Sequence, residues 1–139
     1  MPSIVSSQAL ETTLRTILAA EGFTLSSQRT NGETGVDILA TRKRSKLYIE
    51  VIAHKSSPPA RSKDFYEGFF RVVSRIKDGA TRCVLAMSSL AERGLPARAK
   101  QYGDAWIRIG DAFPEIEIWL VDPVQSAYTK TRWNDWFKH

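Results

Sequence analysis

One cysteine, Cys83, and two histidines, His54 and His139, are all the thiolate and imidazole metal ligands in this chain. That scarcity excludes an intramolecular disulfide and leaves no basis for a zinc site made of nitrogen and sulfur ligands. Cys83 stands in the apolar run Cys83-Val84-Leu85-Ala86-Met87, which predicts a buried thiol in a reducing compartment. No apolar run approaches the ~20 residues that span a bilayer. The segment Met1-Pro2-Ser3-Ile4-Val5-Ser6-Ser7 lacks the basic start and apolar middle of a signal peptide, so a cytoplasmic protein outside the membrane is expected. There is no Gly-x-Ser-x-Gly elbow and no Gly-rich phosphate loop, which removes two common enzyme signatures. Internal repeats, low-complexity tracts and long linkers are missing as well.

What is present fits one domain. A chain of 139 residues has a common domain length and can bury a core without staples. Twenty Lys and Arg against fifteen Asp and Glu leave a net charge of +5, which permits nucleic-acid binding without requiring it.

The pattern along the chain alternates strand and helix. Leu10, Leu14, Ile17 and Leu18 recur at helical spacing, Ser6 or Ser7 can cap the start, and Gly22 supplies a stop, so Ser7 to Gly22 reads as a helix. Phe23 to Arg29 reads as a short strand, followed by the turn-rich Asn31-Gly32-Glu33-Thr34-Gly35. Val36 to Thr41 and Leu47 to Ile52 read as two further strands around the basic tip Arg42-Lys43-Arg44-Ser45-Lys46. Ser56-Ser57-Pro58-Pro59 is expected to be loop, with a second helix over Ser62 to Lys77 and a buried strand over Arg82 to Met87. The stripe Ala99, Tyr102, Trp106, Ile109 and Phe113, broken by Gly103, fits one kinked helix or two short ones. Ile116 to Val121 alternates like a last strand and closes the core that begins at Ser7. The tail from Asp122, with Trp133, Trp136 and Phe137, has no assigned element. The expected fold is α/β, with an antiparallel three-strand meander and parallel strands forming one small mixed sheet flanked by helices.

One hairpin carries the chemistry. With Lys43 and Arg44 in its turn, Asp37 lies directly opposite Glu50, on one sheet face with Cβ atoms ~5 Å apart. Two like charges there call for a cation between them, and Mg²⁺ accepts carboxylate oxygens readily. Spacing alone leaves a second reading open, two solvated carboxylates in another register.

The stretch Gly35-Val36-Asp37-Ile38-Leu39-Ala40, a basic turn and Leu47-Tyr48-Ile49-Glu50-Val51 resembles the core of PD-(D/E)xK nucleases, the restriction-endonuclease-like superfamily. The element order matches that family's core from Ser7 to Met87. The resemblance implies a DNA phosphodiesterase binding Mg²⁺ or Mn²⁺ through Asp37, Glu50 and the carbonyl of Val51, with Glu11 resembling an acid that some members add. It also implies a tendency to dimerise. The family's lysine falls at Ile52, which can neither orient water nor stabilise negative charge. Lys55 and Lys63 are the candidate replacements, with His54 a third group of suitable strand parity but mostly neutral at pH 7. Each also reads as a solvated loop, helix or strand residue. Arg42, Lys43, Arg44 and Lys46 at the tip, and Arg71 and Arg75 one turn apart on the second helix, are candidate phosphate contacts. An exposed Glu67–Arg71 pair is the alternative for the helix. A nuclease-fold protein without activity, or an interaction protein docking through its aromatic tail, are the competing functions.

Overall fold

The computed structural model describes residues 3–28 and 35–137. The elements in chain order are β1 (Ser3–Val5), α1 (Ser7–Ala20), β2 (Thr24–Leu25), β3 (Ile38–Arg42), β4 (Ser45–Val51) and β5 (His54–Lys55). They continue with α2 (Pro58–Ser74), β6 (Cys83–Ser88), α3 (Leu95–Tyr102), α4 (Asp104–Ala112), β7 (Ile116–Asp122) and β8 (Ala127–Arg132). Six strands form a mixed sheet in the order β2-β3-β4-β6-β7-β8, and β1 pairs with β5 in a separate ribbon. The expected α/β class with a mixed sheet is what the chain adopts.

The hairpin register is the predicted one. Ile38 faces Ile49, Leu39 faces Tyr48 and Arg42 faces Ser45, so the turn falls at Lys43 and Arg44, with Lys43 at φ 55°. β4 then runs parallel to β6, and β6 parallel to β7, as connections through helices require.

Each sheet face has its own core. Leu10, Leu14 and Leu18 of α1 cover Ile38, Ile49, Val84 and Trp119. On the other face α2, α3 and α4 pack Phe65, Val72, Ala99 and Trp106 over Ile52, Leu85 and Ile118. Cys83 is fully buried in the second core. Burial and the nearby Glu115 and Glu117 carboxylates push its pKa up to about 12, so it stays a thiol.

Three expectations change. The prolines at 58 and 59 open α2 rather than precede it, with the Ser57 hydroxyl accepting from Ala60 N–H at 3.4 Å. The first N–H groups of a helix have no intrahelical acceptor, so proline costs nothing there. The strand expected over Phe23 to Arg29 shortens to Thr24–Leu25, and the turn at 31–34 lies outside the described residues. The tail, which had no assigned element, adds a strand and part of the core: β8 pairs antiparallel with β7, and Trp133 and Trp136 are buried. Trp133 stacks on Trp106 with centroids 4.0 Å apart, and each indole N–H donates to the other residue's carbonyl, at 2.9 and 2.8 Å. An aromatic that satisfies its polar edge inside the chain has its surface already used. Gly103, at φ 55°, divides the third helical stripe into α3 and α4.

No helix among the described residues is long and apolar enough to cross a membrane.

Gly68 sets the distance between α2 and the sheet. A Cβ there would stand 2.7 Å from Ile52 Cγ2 and 2.8 Å from Leu85 Cδ1. Gly68→Ala is therefore expected to destabilise by about 1–3 kcal/mol, the usual cost of overpacking. Urea unfolding should show a lower midpoint at unchanged slope.

Candidate functional site

The ladder between β3 and β4 ends at Ile38 and Ile49, and the next residues along it are Asp37 and Glu50. The N–H groups of Tyr48 and Ile52 reach Arg82 O and Ala86 O on the β6 side. Alternation therefore points the Val51 N–H towards β3. There it donates to Asp37 Oδ2 at 2.9 Å. The aspartate side chain thus closes the ladder where backbone pairing stops, and this fixes its direction. Arg15 of α1 holds the same residue from behind, donating to Asp37 O at 3.0 Å and Ser26 O at 2.6 Å.

Glu50 is 1% exposed and Asp37 8%. A buried carboxylate needs compensation by charge or hydrogen bonds. Helix α2 and the turn after it supply charge: Arg71 Nη1 lies 3.9 Å from Asp37 Oδ2 and 3.8 Å from Glu50 Oε1, and Arg75 Nε lies 3.7 Å from Glu50 Oε2. Arg71 Nη2 is also 3.5 Å from the Val51 carbonyl oxygen. One guanidinium thus meets the three oxygen donors that the nuclease resemblance assigns to a metal. Its contacts are long for hydrogen bonds, and the side chain keeps 44% of its surface exposed. The donor set suits a hard divalent cation, which takes carboxylate and carbonyl oxygens and keeps waters. Among the described residues, no group of three or more His, Cys, Asp and Glu side chains is placed to hold a metal, so the protein's donors would be these two carboxylates and the carbonyl.

The other candidates separate into near and far. Glu11 does not join the acids; it pairs with Arg15 Nε at 2.8 Å and so orients the residue that holds Asp37. Lys55 shares a cleft with Val51, Ile52, Asp64 and Arg71, and its Nζ pairs with Asp64 at 2.9 Å. Lys63 is 76% exposed, with its Nζ 3.9 Å from Glu67 Oε1. The expected alternative, a Glu67–Arg71 pair, is replaced by this Lys63–Glu67 contact because Arg71 turns to the buried carboxylates. Ile52 is 7% exposed under Gly68, on the Glu50 side of the sheet, as parity requires. His54 lies on β5; burial, then the neighbouring Arg61 charge, lowers its pKa, so the imidazole is neutral at pH 7.

The basic tip lies at the opposite end of β4. Lys46 and Glu50 are separated by about 13 Å along the strand. Arg42 is held structurally, over the Phe23 ring at 4.4 Å and donating to Glu21 O at 2.8 Å, whereas Lys43, Arg44 and Lys46 are exposed. Arg15 was not singled out from the sequence; its signal is the four-residue spacing from Glu11.

Comparisons with protein-family models, curated proteins and solved structures find no match to this chain, so the chemistry rests on the site's own geometry. Removing one partner from a buried charge cluster leaves the others undercompensated. Arg71→Ala is expected to destabilise by about 1–3 kcal/mol, and Arg71→Lys by less. Denaturant titration of both variants beside wild type checks the order.

Proposed function

We propose that the chain is a metal-dependent phosphodiesterase of the PD-(D/E)xK type that acts on DNA, with Mg²⁺ or Mn²⁺ held by Asp37, Glu50 and the Val51 carbonyl. The observation that carries this reading is the convergence of those three oxygen donors on one cationic point, now met by Arg71. When bound, the ion supplies Lewis-acid polarisation of the phosphate and a more acidic water. The chain's residues do the rest. Asp37 is locked by the Val51 N–H and Arg15, and Glu50 by burial, so both carboxylates are fixed in direction before any ligand arrives. Arg71, on a partly exposed side chain, can turn from the carboxylates to a phosphate oxygen without leaving the cleft. Lys55, in the same cleft, is the remaining ammonium near the position where the family has its lysine. The exposed Lys43, Arg44 and Lys46 would contact backbone phosphates some distance along the substrate, adding affinity without sequence preference.

A second reading is favoured by one observation. Ile52 fills the lysine position and is wedged beneath Gly68, while Arg71 already balances the acids. A nuclease fold that binds nucleic acid or a protein partner without cutting fits those two facts.

Melting and cleavage separate the readings. Under the nuclease reading, Mg²⁺ or Mn²⁺ raises the wild-type melting temperature by several degrees through linkage, and Asp37→Ala removes the rise. Duplex DNA is then cut in Mg²⁺, and Asp37→Ala and Glu50→Gln stop the cutting. Equal metal shifts in wild type and Asp37→Ala, with no cleavage by either, would exclude it and leave the binding protein.

The tip is tested separately. Reversing Lys43, Arg44 and Lys46 to glutamate should weaken DNA binding and flatten its salt dependence, since fewer counterions are released. An unchanged salt slope would show these side chains to be solvent-facing only.

A further inference from the structure

On the far side of Ile52 from the acids lies a second cleft, of about 260 Å³. That is just under the ~300–1,000 Å³ of ordinary ligand pockets, enough for one small ligand or one unit of a longer chain. Its floor is apolar: Ile52, Phe65, Met87 and Leu95 are all nearly buried, while Leu90, 53% exposed, stands at its rim.

Its charge is one-sided. Arg61, Arg93, Arg98 and His54 line it, and among the described residues no Asp or Glu does. Four arginines elsewhere are paired, Arg15 with Glu11, Arg71 and Arg75 with Glu50, and Arg82 with Glu117. Arg42, Arg44, Arg108 and Arg132, scattered rather than gathered in one concavity, form no ion pair among the described residues. Among the described residues, no carboxylate forms an ion pair with Arg61, Arg93 or Arg98. Two of the three are nonetheless held in place. Arg61 Nη1 donates to Lys55 O at 2.9 Å, and Arg98 lies 4.7 Å over the Phe65 ring with Nη1 3.4 Å from Ser62 Oγ. Each guanidinium carries five N–H donors in a rigid fork, so most remain for a ligand. Three like charges around one concavity repel unless an anion joins them.

We propose that this cleft binds a nucleoside monophosphate unit, with the phosphate on Arg61, Arg93 and Arg98 and the base against the apolar floor. Guanidinium forks match phosphate oxygens, and planar rings lie well on guanidinium and aliphatic surfaces. A sugar phosphate would press hydroxyls against Ile52, Phe65 and Met87, where they lack partners. An inorganic anion alone would leave that floor uncovered. The unit can arrive as a free nucleotide or as the phosphorylated end of a strand. Ile52 and Ala53 also line the neighbouring cleft that holds Val51, Lys55 and Arg71, so a strand end held here would run towards the guanidinium that meets Asp37 and Glu50. That last step rests on the proposed nuclease reading; the binding itself does not.

Calorimetry on the full chain tests it, with adenosine 5′-monophosphate, adenosine and inorganic phosphate as probes. The nucleotide is expected to bind at least about tenfold more tightly than either part alone. Arg93→Glu, an exposed change, should weaken it by about tenfold or more, while Asp37→Ala leaves it within about twofold. A 5′-phosphorylated hexanucleotide binding well above the mononucleotide, and above its 5′-hydroxyl counterpart, identifies a strand end as the source. Equal affinity for hexamer and mononucleotide identifies the free nucleotide. Nucleotide binding no tighter than phosphate, unaltered by Arg93→Glu, or abolished by Asp37→Ala would overturn the proposal. A wild-type protein that Mg²⁺ and Mn²⁺ do not stabilise, with nucleotide binding intact, would remove the nuclease reading and leave this cleft standing.

Discussion

The placement of Glu50 constrains everything around it. It is a carboxylate at 1% exposure on a central strand, and charge taken that far from water is tolerated only where opposite charge or donors follow it in. Arg71 near the end of α2 and Arg75 just past it meet that need, one turn apart. For both to reach β4, the helix must lie almost on the sheet, and Gly68, without a Cβ, permits it. The small residue on α2, the aliphatic one at Ile52 and the ion cluster are thus parts of one packing solution. The space beneath Gly68 is filled by Ile52, and the cationic charge beside the acids comes from Arg71 and Arg75.

The strand order adds a second constraint. β4 is antiparallel to β3 and parallel to β6, so its C-terminal end is where the ladder to β3 runs out. Backbone groups freed there are taken by side chains, as the Val51 N–H is by Asp37. Crevices at the carboxyl ends of parallel strands are the usual ligand sites of open α/β sheets. Both clefts lie beside residues 52 and 53, just past the end of β4, one of mixed charge with Lys55, Asp64 and Arg71, the other basic with an apolar floor.

Much of this could be read from the residues. Alternation in Val36 to Thr41 and Leu47 to Ile52, with charged residues crowded between, defined the hairpin and its register, and with it the facing of Asp37 and Glu50. The leucine spacing of α1 and the break at Gly103 were equally clear. Less clear was whatever depends on contacts between distant segments. Pro58 and Pro59 suit a loop or a helix start, and only Ser57 as cap decides between them. β8 has a period-two pattern, Ala127-Tyr128-Thr129-Lys130-Thr131-Arg132, but its exposed edge makes it too polar to stand out. The direction of Arg71 was misjudged for a similar reason: four-residue spacing favours Glu67, and the pull of two buried acids from another element leaves no local trace. Arg61, Arg93 and Arg98 come from separate stretches, and no spacing rule connects them.

The stacked indoles of Trp106 and Trp133 carry a consequence for how the chain is made. Each gives its N–H to the other's carbonyl, so the face formed by α2, α3 and α4 cannot close until residue 133 has been synthesised. During translation, at ~5–20 residues per second, earlier segments emerge with Phe65, Phe69 and Trp106 still uncovered. A product interrupted before that point would display an aromatic surface of the kind that chaperones and proteases recognise. Cover for that aromatic surface thus comes from the last tenth of the chain, whose Trp133 completes the stack on Trp106.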